Sequence, residues 1–481
     1  MCGVPTTKIR YCPDFFISRG NTGNQYMILD VGTPHTTYIA YCKTVNYFLS
    51  SFTMRYFILI FILLISAARS KSQSRTDDLL KNMLAAEKDS LFQQVLQHPE
   101  IYHYQVIYTQ INRDKNNIAS FNNYYFNYDS LHYFNPASTV KLPLAFLSLE
   151  KINQLKNKGI NKFTPMQFDS GYSKQTLLYK DSTAENGLPS IAQFIRKAFL
   201  VSDNDAYSRM YEFVGQETIN RRLHAMGYPD LRITRRFVRM NADENRHTNP
   251  IRFIKPDGSL IYLQPMAINK DSFDFSHINK MGRGYLNAQD SLINEPIDFT
   301  MANNVTIYHL QQLLQSVLFP NSVPARQRFN LSKADYDFLY RYLSQYPSET
   351  EYPKYDTGLY YNSYVKFFFQ KSHNIPDHIR VFNKVGWAYG CLTDVSYVVD
   401  FKNKIEFMLT ATLYVNSDGI LNDDKYDYET IGHPFLYQLG QTVYKYELNR
   451  TRKYRPDLSW FKIHYEKRKE DGRKPIKEID N

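Results

Sequence analysis

Apolar residues recur at helical spacing along residues 76–97, TDDLLKNMLAAEKDSLFQQVLQ, behind a Thr-Asp start that suits a helix N-terminus. The period then changes. YHYQVIYTQI and IASFNNYYFNY are β-rich runs on either side of the polar turn NRDKNN, so residues 102–128 read as a hairpin. A helix is predicted from Ser138 to Lys156. Another runs from Ser190 to about residue 200, with Ile191, Phe194, Ile195, Ala198 and Phe199 on one face. Residues 251–300 break the rhythm: IKPDGSLIYL reads as a hairpin, a polar Gly-containing stretch follows, and the segment reads as an insertion. Helices resume at 304–318 and 332–345. VSYVVDF, the turn KNK and IEFMLTATLYV give a further hairpin, and a last helix spans roughly 430–448.

The order is a hairpin, a block of helices, a hairpin and a terminal helix. It predicts an α/β (α+β) fold class. Strands from both ends of the chain join one antiparallel sheet flanked by terminal helices, and the middle of the chain forms a helical lobe. A cleft between sheet and lobe is then the natural place for a site.

Composition adds limits. With 481 residues and 43% hydrophobic content the chain can bury a sizeable core, which excludes general disorder. Residues 54–70, MRYFILIFILLISAARS, have a short basic start, an apolar run of about a dozen residues and then small residues, the secretory pattern. The run is short for a membrane span. Met54 is thus expected to be the true start, residues 1–53 an over-long upstream extension, and the product exported to a periplasm or the exterior. Cys2, Cys12 and Cys42 precede the apolar run and only Cys391 follows it, so the exported part has no internal disulfide. The net charge is +11, partly from a basic C-terminal tail, 451–481, which ends KRKEDGRKPIKEIDN. It reads as a solvated tail, the alternative being weak contact with a cell wall or membrane surface. No nucleic-acid-binding motif is recognisable. No metal motif of the H-E-x-x-H kind occurs, so no cofactor is expected.

Ser-x-x-Lys occurs four times, at Ser138/Lys141, Ser148/Lys151, Ser363/Lys366 and Ser459/Lys462, and context must choose among them. Ser138 stands at a predicted helix start, with Lys141 three residues on and on the same face. The unpaired N–H groups of a first helical turn favour an alkoxide and lower the pKa of a nearby lysine. Ser148 lies deeper in the same helix. Ser202-Asp203-Asn204 occurs once, between two helical runs. Its residues suit a capping turn. In a site, Ser202 would relay a proton and Asn204 would hold the substrate and Lys141. Lys384-Val385-Gly386 opens a predicted sheet edge. There Lys384 can anchor a carboxylate, and Gly386 lets a substrate backbone come close.

Taken together, Ser138-x-x-Lys141, Ser202-Asp203-Asn204 and Lys384-Val385-Gly386 resemble the motif set of class A β-lactamases and penicillin-binding proteins. The intervals are 64 residues from Ser138 to Ser202 and 182 from Ser202 to Lys384, the second lengthened by the insertion. The resemblance covers roughly residues 76–448. It implies a serine hydrolase that forms an acyl-enzyme at Ser138, with Lys141 as acylation base and β-lactams or peptidoglycan-like compounds as substrates. It also implies an oxyanion hole from the backbone N–H groups of Ser138 and Trp387. Two residues depart from the pattern. Val385 replaces the usual hydroxyl residue. If Met240-Asn241 matches the family's Leu-Asn pair, Phe237 stands where the deacylating Glu belongs and Arg235 matches the loop arginine, while Asp243 and Glu244 are out of register. Slow β-lactam deacylation is therefore expected. The alternatives are a penicillin-binding D,D-peptidase or esterase, and a non-catalytic cell-wall binding protein that retains the fold.

Overall fold

The computed structural model describes residues 74–371, 373–468 and 473–479, so residues 1–53, expected to be an upstream extension, and 54–70, expected to be a signal segment, lie outside the described residues. Among the described residues no helix is long and apolar enough to cross a membrane.

Period-2 alternation builds the centre of the fold. Five antiparallel strands lie in the order Ile379–Ala388, Cys391–Asp400, Ile405–Tyr414, Gln105–Arg113 and Ala119–Phe126. Each inner strand is apolar on both faces, so the sheet is covered on both sides. Val106 and Tyr108 enter one core with Phe92, Phe435 and Leu439 of the terminal helices. Ile107 and Ile111 enter the other core, with Leu144, Phe194 and Leu314 of the lobe. The terminal layer holds Asp78–Ala85, Ser90–Gln97 and His433–Asn449. The lobe holds Lys141–Gln154, Ile191–Leu200, Asn204–Val214, Ile307–Leu318 and Lys333–Ser344. The expected antiparallel sheet, its flanking helices and the helical lobe are all present.

Several boundaries differ. Residues 76–97 form two helices, because Asp89 accepts a hydrogen bond from the Phe92 N–H (2.9 Å) and starts a second one. Such a cap satisfies one of the orphan donors of a helix start, and it outweighs the continuous apolar spacing. Cys391–Asp400 pairs residue by residue with Ile379–Ala388, which makes the C-terminal hairpin a three-stranded meander. Within the presumed insertion, Ile251–Ile254 pairs with Met166–Phe168 and Leu260–Gln264. Ile251 and Phe253 are buried in the lobe core, so this part belongs to the lobe. The segment beyond Gln264 forms the short pairs Lys280–Met281 with Ile297–Asp298 and Gly284–Leu286 with Leu292–Ile293 and Ile420–Leu421.

The C-terminal tail, largely exposed, is docked at a few points. Leu458 and Phe461 are buried in the lobe core. Arg468 donates to the carbonyls of Pro347 (2.9 Å) and Thr350 (3.2 Å). Ile476 bridges Tyr355, and its N–H meets the Lys354 carbonyl at 2.8 Å. The tail's charges drew the solvated reading, but Leu458, Phe461 and Ile476 between them supply apolar anchors. This packing gives no support to a tail free to touch a polyanionic surface.

Candidate active site

Ser138 sits in a 3₁₀ turn, Ala137–Val140, that runs directly into the helix Lys141–Gln154. Asn135 shapes the turn by accepting from the Ala137 N–H (2.9 Å), and Thr139 Oγ1 donates to the Pro136 carbonyl (2.6 Å). The α-helix proper begins at Lys141, not at Ser138. Lys141 is fully buried, and its Nζ lies 2.8 Å from Ser138 Oγ.

The second motif closes on the same amine. Asp203 caps the helix Asn204–Val214 by accepting from the Ala206 N–H (2.7 Å), and it pairs with Lys197 at 3.4 Å. That cap holds the turn, and Ser202 takes a left-handed backbone (φ 66°) that presents both its carbonyl and its hydroxyl to Lys141. Lys141 Nζ lies 3.3 Å from Ser202 Oγ and donates to Asn204 Oδ1 at 2.7 Å. Lys384, from the edge strand Ile379–Ala388, donates to Ser202 Oγ (2.8 Å) and to the Val385 carbonyl (2.7 Å). Residues 138, 141, 202, 204 and 384, remote in sequence, thus form one hydrogen-bonded chain.

The edge strand also explains Gly386. A Cβ there would lie 2.6 Å from the Pro136 carbonyl oxygen and 2.9 Å from the backbone nitrogens of Ser138 and Thr139. Only glycine lets the strand abut the nucleophile turn, so Gly386 serves contact between two protein backbones as much as approach by a substrate. The strand turns at Tyr389-Gly390 (φ 52° and 77°), and Ala388 pairs with Cys391 across that two-residue turn. In such a hairpin the closing pair is hydrogen-bonded and the next pair, Trp387 with Leu392, is not. The Trp387 N–H therefore points off the sheet edge, on the side where the Ser138 turn lies.

Burial sets the electrostatics. It lowers the Lys141 pKa to about 7, against the opposing pull of Asp203. Desolvation rather than the helix field is the main cause. Burial, with the charge of Lys141 next, holds Lys384 well below the ordinary lysine range. The cleft beside Ser138 has a volume of about 610 Å³, and no carboxylate lines it.

The other Ser-x-x-Lys pairs lie elsewhere. Ser148 Oγ donates to the Leu144 carbonyl (2.8 Å) inside its helix. Ser363 is buried, and Lys366 donates to Leu343 O (2.8 Å) and Asn383 Oδ1 (2.5 Å). Ser459 belongs to a 3₁₀ turn of the docked tail.

Phe237 lines the cleft. Its ring stacks on Tyr207 (4.1 Å between centroids), and its centroid lies 5.3 Å from Lys141 Nζ. Glu244 completes a capping box with Asn241 and accepts from Ser173 Oγ (2.6 Å), while Asp243 accepts from the Tyr172 hydroxyl (2.5 Å). Neither lines the cleft. The buried anchor of this loop is Arg236, which pairs with Glu212 at 3.0 Å, whereas Arg235 faces the cleft. Asn303, Arg239 and Tyr389 also line the cleft without having been singled out. They come from loops whose convergence leaves no local pattern. Among the described residues no cluster of three or more His, Cys, Asp or Glu side chains is arranged to hold a metal ion.

Residues 93–263 match the family model described as Beta-lactamase enzyme family. No curated protein sequence matches the chain. Among solved structures, a β-lactamase from Xanthomonas campestris pv. campestris is 14% identical with a TM-score of 0.42, covering 76% of this chain and 98% of that one. One from Desulfarculus baarsii is 14% identical with a TM-score of 0.41, covering 78% and 98%. One from Sphaerobacter thermophilus is 12% identical with a TM-score of 0.38, covering 74% and 96%. The matched segment carries the Ser138 turn, the Ser202 turn and the Phe237 loop, and over that segment the chain is similar to the Beta-lactamase enzyme family.

Proposed function

We propose that this protein is a serine acyl-transfer enzyme that forms an acyl-enzyme at Ser138 with β-lactams or peptidoglycan-like amides and esters. The observation that carries this reading is the 2.8 Å approach of Ser138 Oγ to a lysine amine whose pKa burial has brought to about 7. A neutral Lys141 accepts the hydroxyl proton as Oγ attacks the carbonyl. The Ser138 and Trp387 N–H groups receive the oxyanion, and each such donor contributes about 3 kcal/mol to transition-state stabilisation. As the C–N or C–O bond breaks, Ser202 passes the proton to the leaving atom and is reprotonated from Lys141. Lys384 holds Ser202 in place and attracts a substrate carboxylate. The acylated product stays on Ser138 until water displaces it, and the cleft lining holds no carboxylate to activate that water.

The test is the pH dependence of covalent labelling by a fluorescent penicillin. The neutral amine is the active form, so labelling should rise with pH as a single ionisation centred near 7. It should be about 100-fold slower at pH 5 than on the plateau above pH 8. A rate that is flat from pH 5 to 8 would remove Lys141 as the base.

Export belongs to the same proposal, since peptidoglycan-like substrates lie outside the cytoplasm. The secreted form should begin near residues 69–73, after the apolar run of 54–70. N-terminal sequencing of secreted protein that returned any of residues 1–53 would contradict it.

A further inference from the structure

The open volume of the cleft beside Ser138 is lined by the loop Arg235–Met240 and the Trp387–Tyr389 end of the edge strand. Ser202 and Lys384, beside which the leaving atom must receive its proton, are buried and do not line that volume. An acyl arm therefore runs away from them, between the Trp387–Tyr389 end of the edge strand and the loop Arg235–Met240. At that end the 610 Å³ cleft adjoins a groove of about 820 Å³, and Arg235, Arg239 and Tyr389 line both. The groove exists because of the segment beyond Gln264: Phe299 packs edge-on against Tyr389 (5.0 Å), and Tyr285 and Ile297 form part of the wall.

The two arginines differ from their neighbours. Arg232 donates to the carbonyls of Asp274 (2.6 Å) and Thr300 (3.2 Å), and Arg236 is paired with Glu212. The guanidiniums of Arg235 and Arg239 make no hydrogen bond or ion pair with a described residue and face the junction of cleft and groove. Arg235 is nevertheless held in place, since its N–H meets Asn303 Oδ1 (3.2 Å) and its carbonyl accepts from the Tyr207 hydroxyl (2.9 Å). A guanidinium fork on a fixed backbone is suited to bind a carboxylate through two parallel bonds. Farther along the groove the wall carries Asp290, Asp298 and Asp424, which repel an anion and so confine it to the junction.

We propose that Arg235 and Arg239 form an anion-selecting subsite for the acyl arm, so that preferred acyl donors carry a negative group a few bonds from the reacting carbonyl. The proposal rests on the acyl-enzyme reading above. Carbenicillin and benzylpenicillin differ by one carboxylate on the side arm, and their second-order acylation rates give a ratio for each protein variant. The ratio should be about tenfold higher for the wild type than for Arg235→Gln/Arg239→Gln, because hydrogen bonds to charged groups commonly carry that much discrimination. The gap should narrow at high salt. A ratio unchanged by the double substitution overturns the subsite. Calorimetric titration of Ser138→Ala with the same two compounds reads the preference without any acylation. Tighter carbenicillin binding that is lost on removing both arginines supports the subsite even where no adduct forms, in which case the acyl-enzyme reading alone fails. Equal affinities before and after the substitutions overturn the subsite.

Discussion

Ser138→Ala should remain folded and lose covalent labelling by a fluorescent penicillin or a fluorophosphonate, a fall of about 10³-fold or more in acylation rate. The substitution removes one half-buried hydroxyl, so its effect on stability should stay within about 1 kcal/mol, readable as a small change in thermal midpoint. Lys141→Ala should lower acylation by about 10²–10⁴-fold, the range for loss of a general base. Its stability cost is the larger, because Ser202 O and Asn204 Oδ1 lose their buried donor. The pattern of controls makes the experiment decisive. Ser148→Ala breaks only a bond to the Leu144 carbonyl within its own helix and should leave labelling intact. Ser459→Ala alters the docked tail on another part of the fold and should do the same. Unchanged labelling of Ser138→Ala would end the proposed mechanism, and loss of labelling in Ser148→Ala would move the nucleophile into the helix. If folded protein still bound penicillin reversibly but never became labelled, a non-catalytic binder would be the better description.

What was legible from sequence, and what was not, follows the range of the signals involved. The motif residues were legible because each sits at a local start: Ser138 in a turn before a helix, Ser202 before a capped helix and Lys384 on an apolar run with a glycine two residues on. Such signals survive in a single sequence. The sheet and its two covering layers were legible for a similar reason, since periods of 2 and 3.6 are written residue by residue. The exact causes were less accessible. A lowered Lys141 pKa was expected from the helix field, but the burial that dominates depends on Asn204, Ser202 and Phe237 closing over the amine. The burial of Arg236 turns on its contact with Glu212, a contact across 24 residues that spacing does not encode. The docked tail was missed because charge dominated its composition, and two or three apolar anchors suffice where a groove awaits them. The cleft walls at Arg239, Asn303 and Tyr389 come from three separate loops and carry no pattern at all.

A benzylpenicillin adduct on Ser138 should persist, with deacylation about 10²–10⁴-fold slower than in an enzyme that has a base to activate water. Acylation and deacylation make different demands. The first uses Lys141, whose amine already touches the nucleophile. The second needs a proton acceptor placed to order water against the ester, and the side chain over Lys141 is the Phe237 ring, which does neither. The nearest carboxylates in sequence are already committed: Glu244 to its capping box and Ser173, Asp243 to Tyr172. Intact-mass spectrometry through a time course should show a stable adduct, mapped by proteolysis to the peptide that carries Ser138. Phe237→Glu supplies the converse. Its carboxylate would stand close to Lys141, so two effects should appear together. Deacylation should accelerate, and the pH midpoint of acylation should move above 7, because a nearby negative charge favours the protonated amine. Loss of the stack on Tyr207 should cost about 1–3 kcal/mol, so the variant must be shown to be folded before its kinetics are read. Rapid turnover by the wild type with no detectable adduct would mean that another group supplies the water-activating base. The placement of Phe237 would then have no bearing on the second half of the reaction.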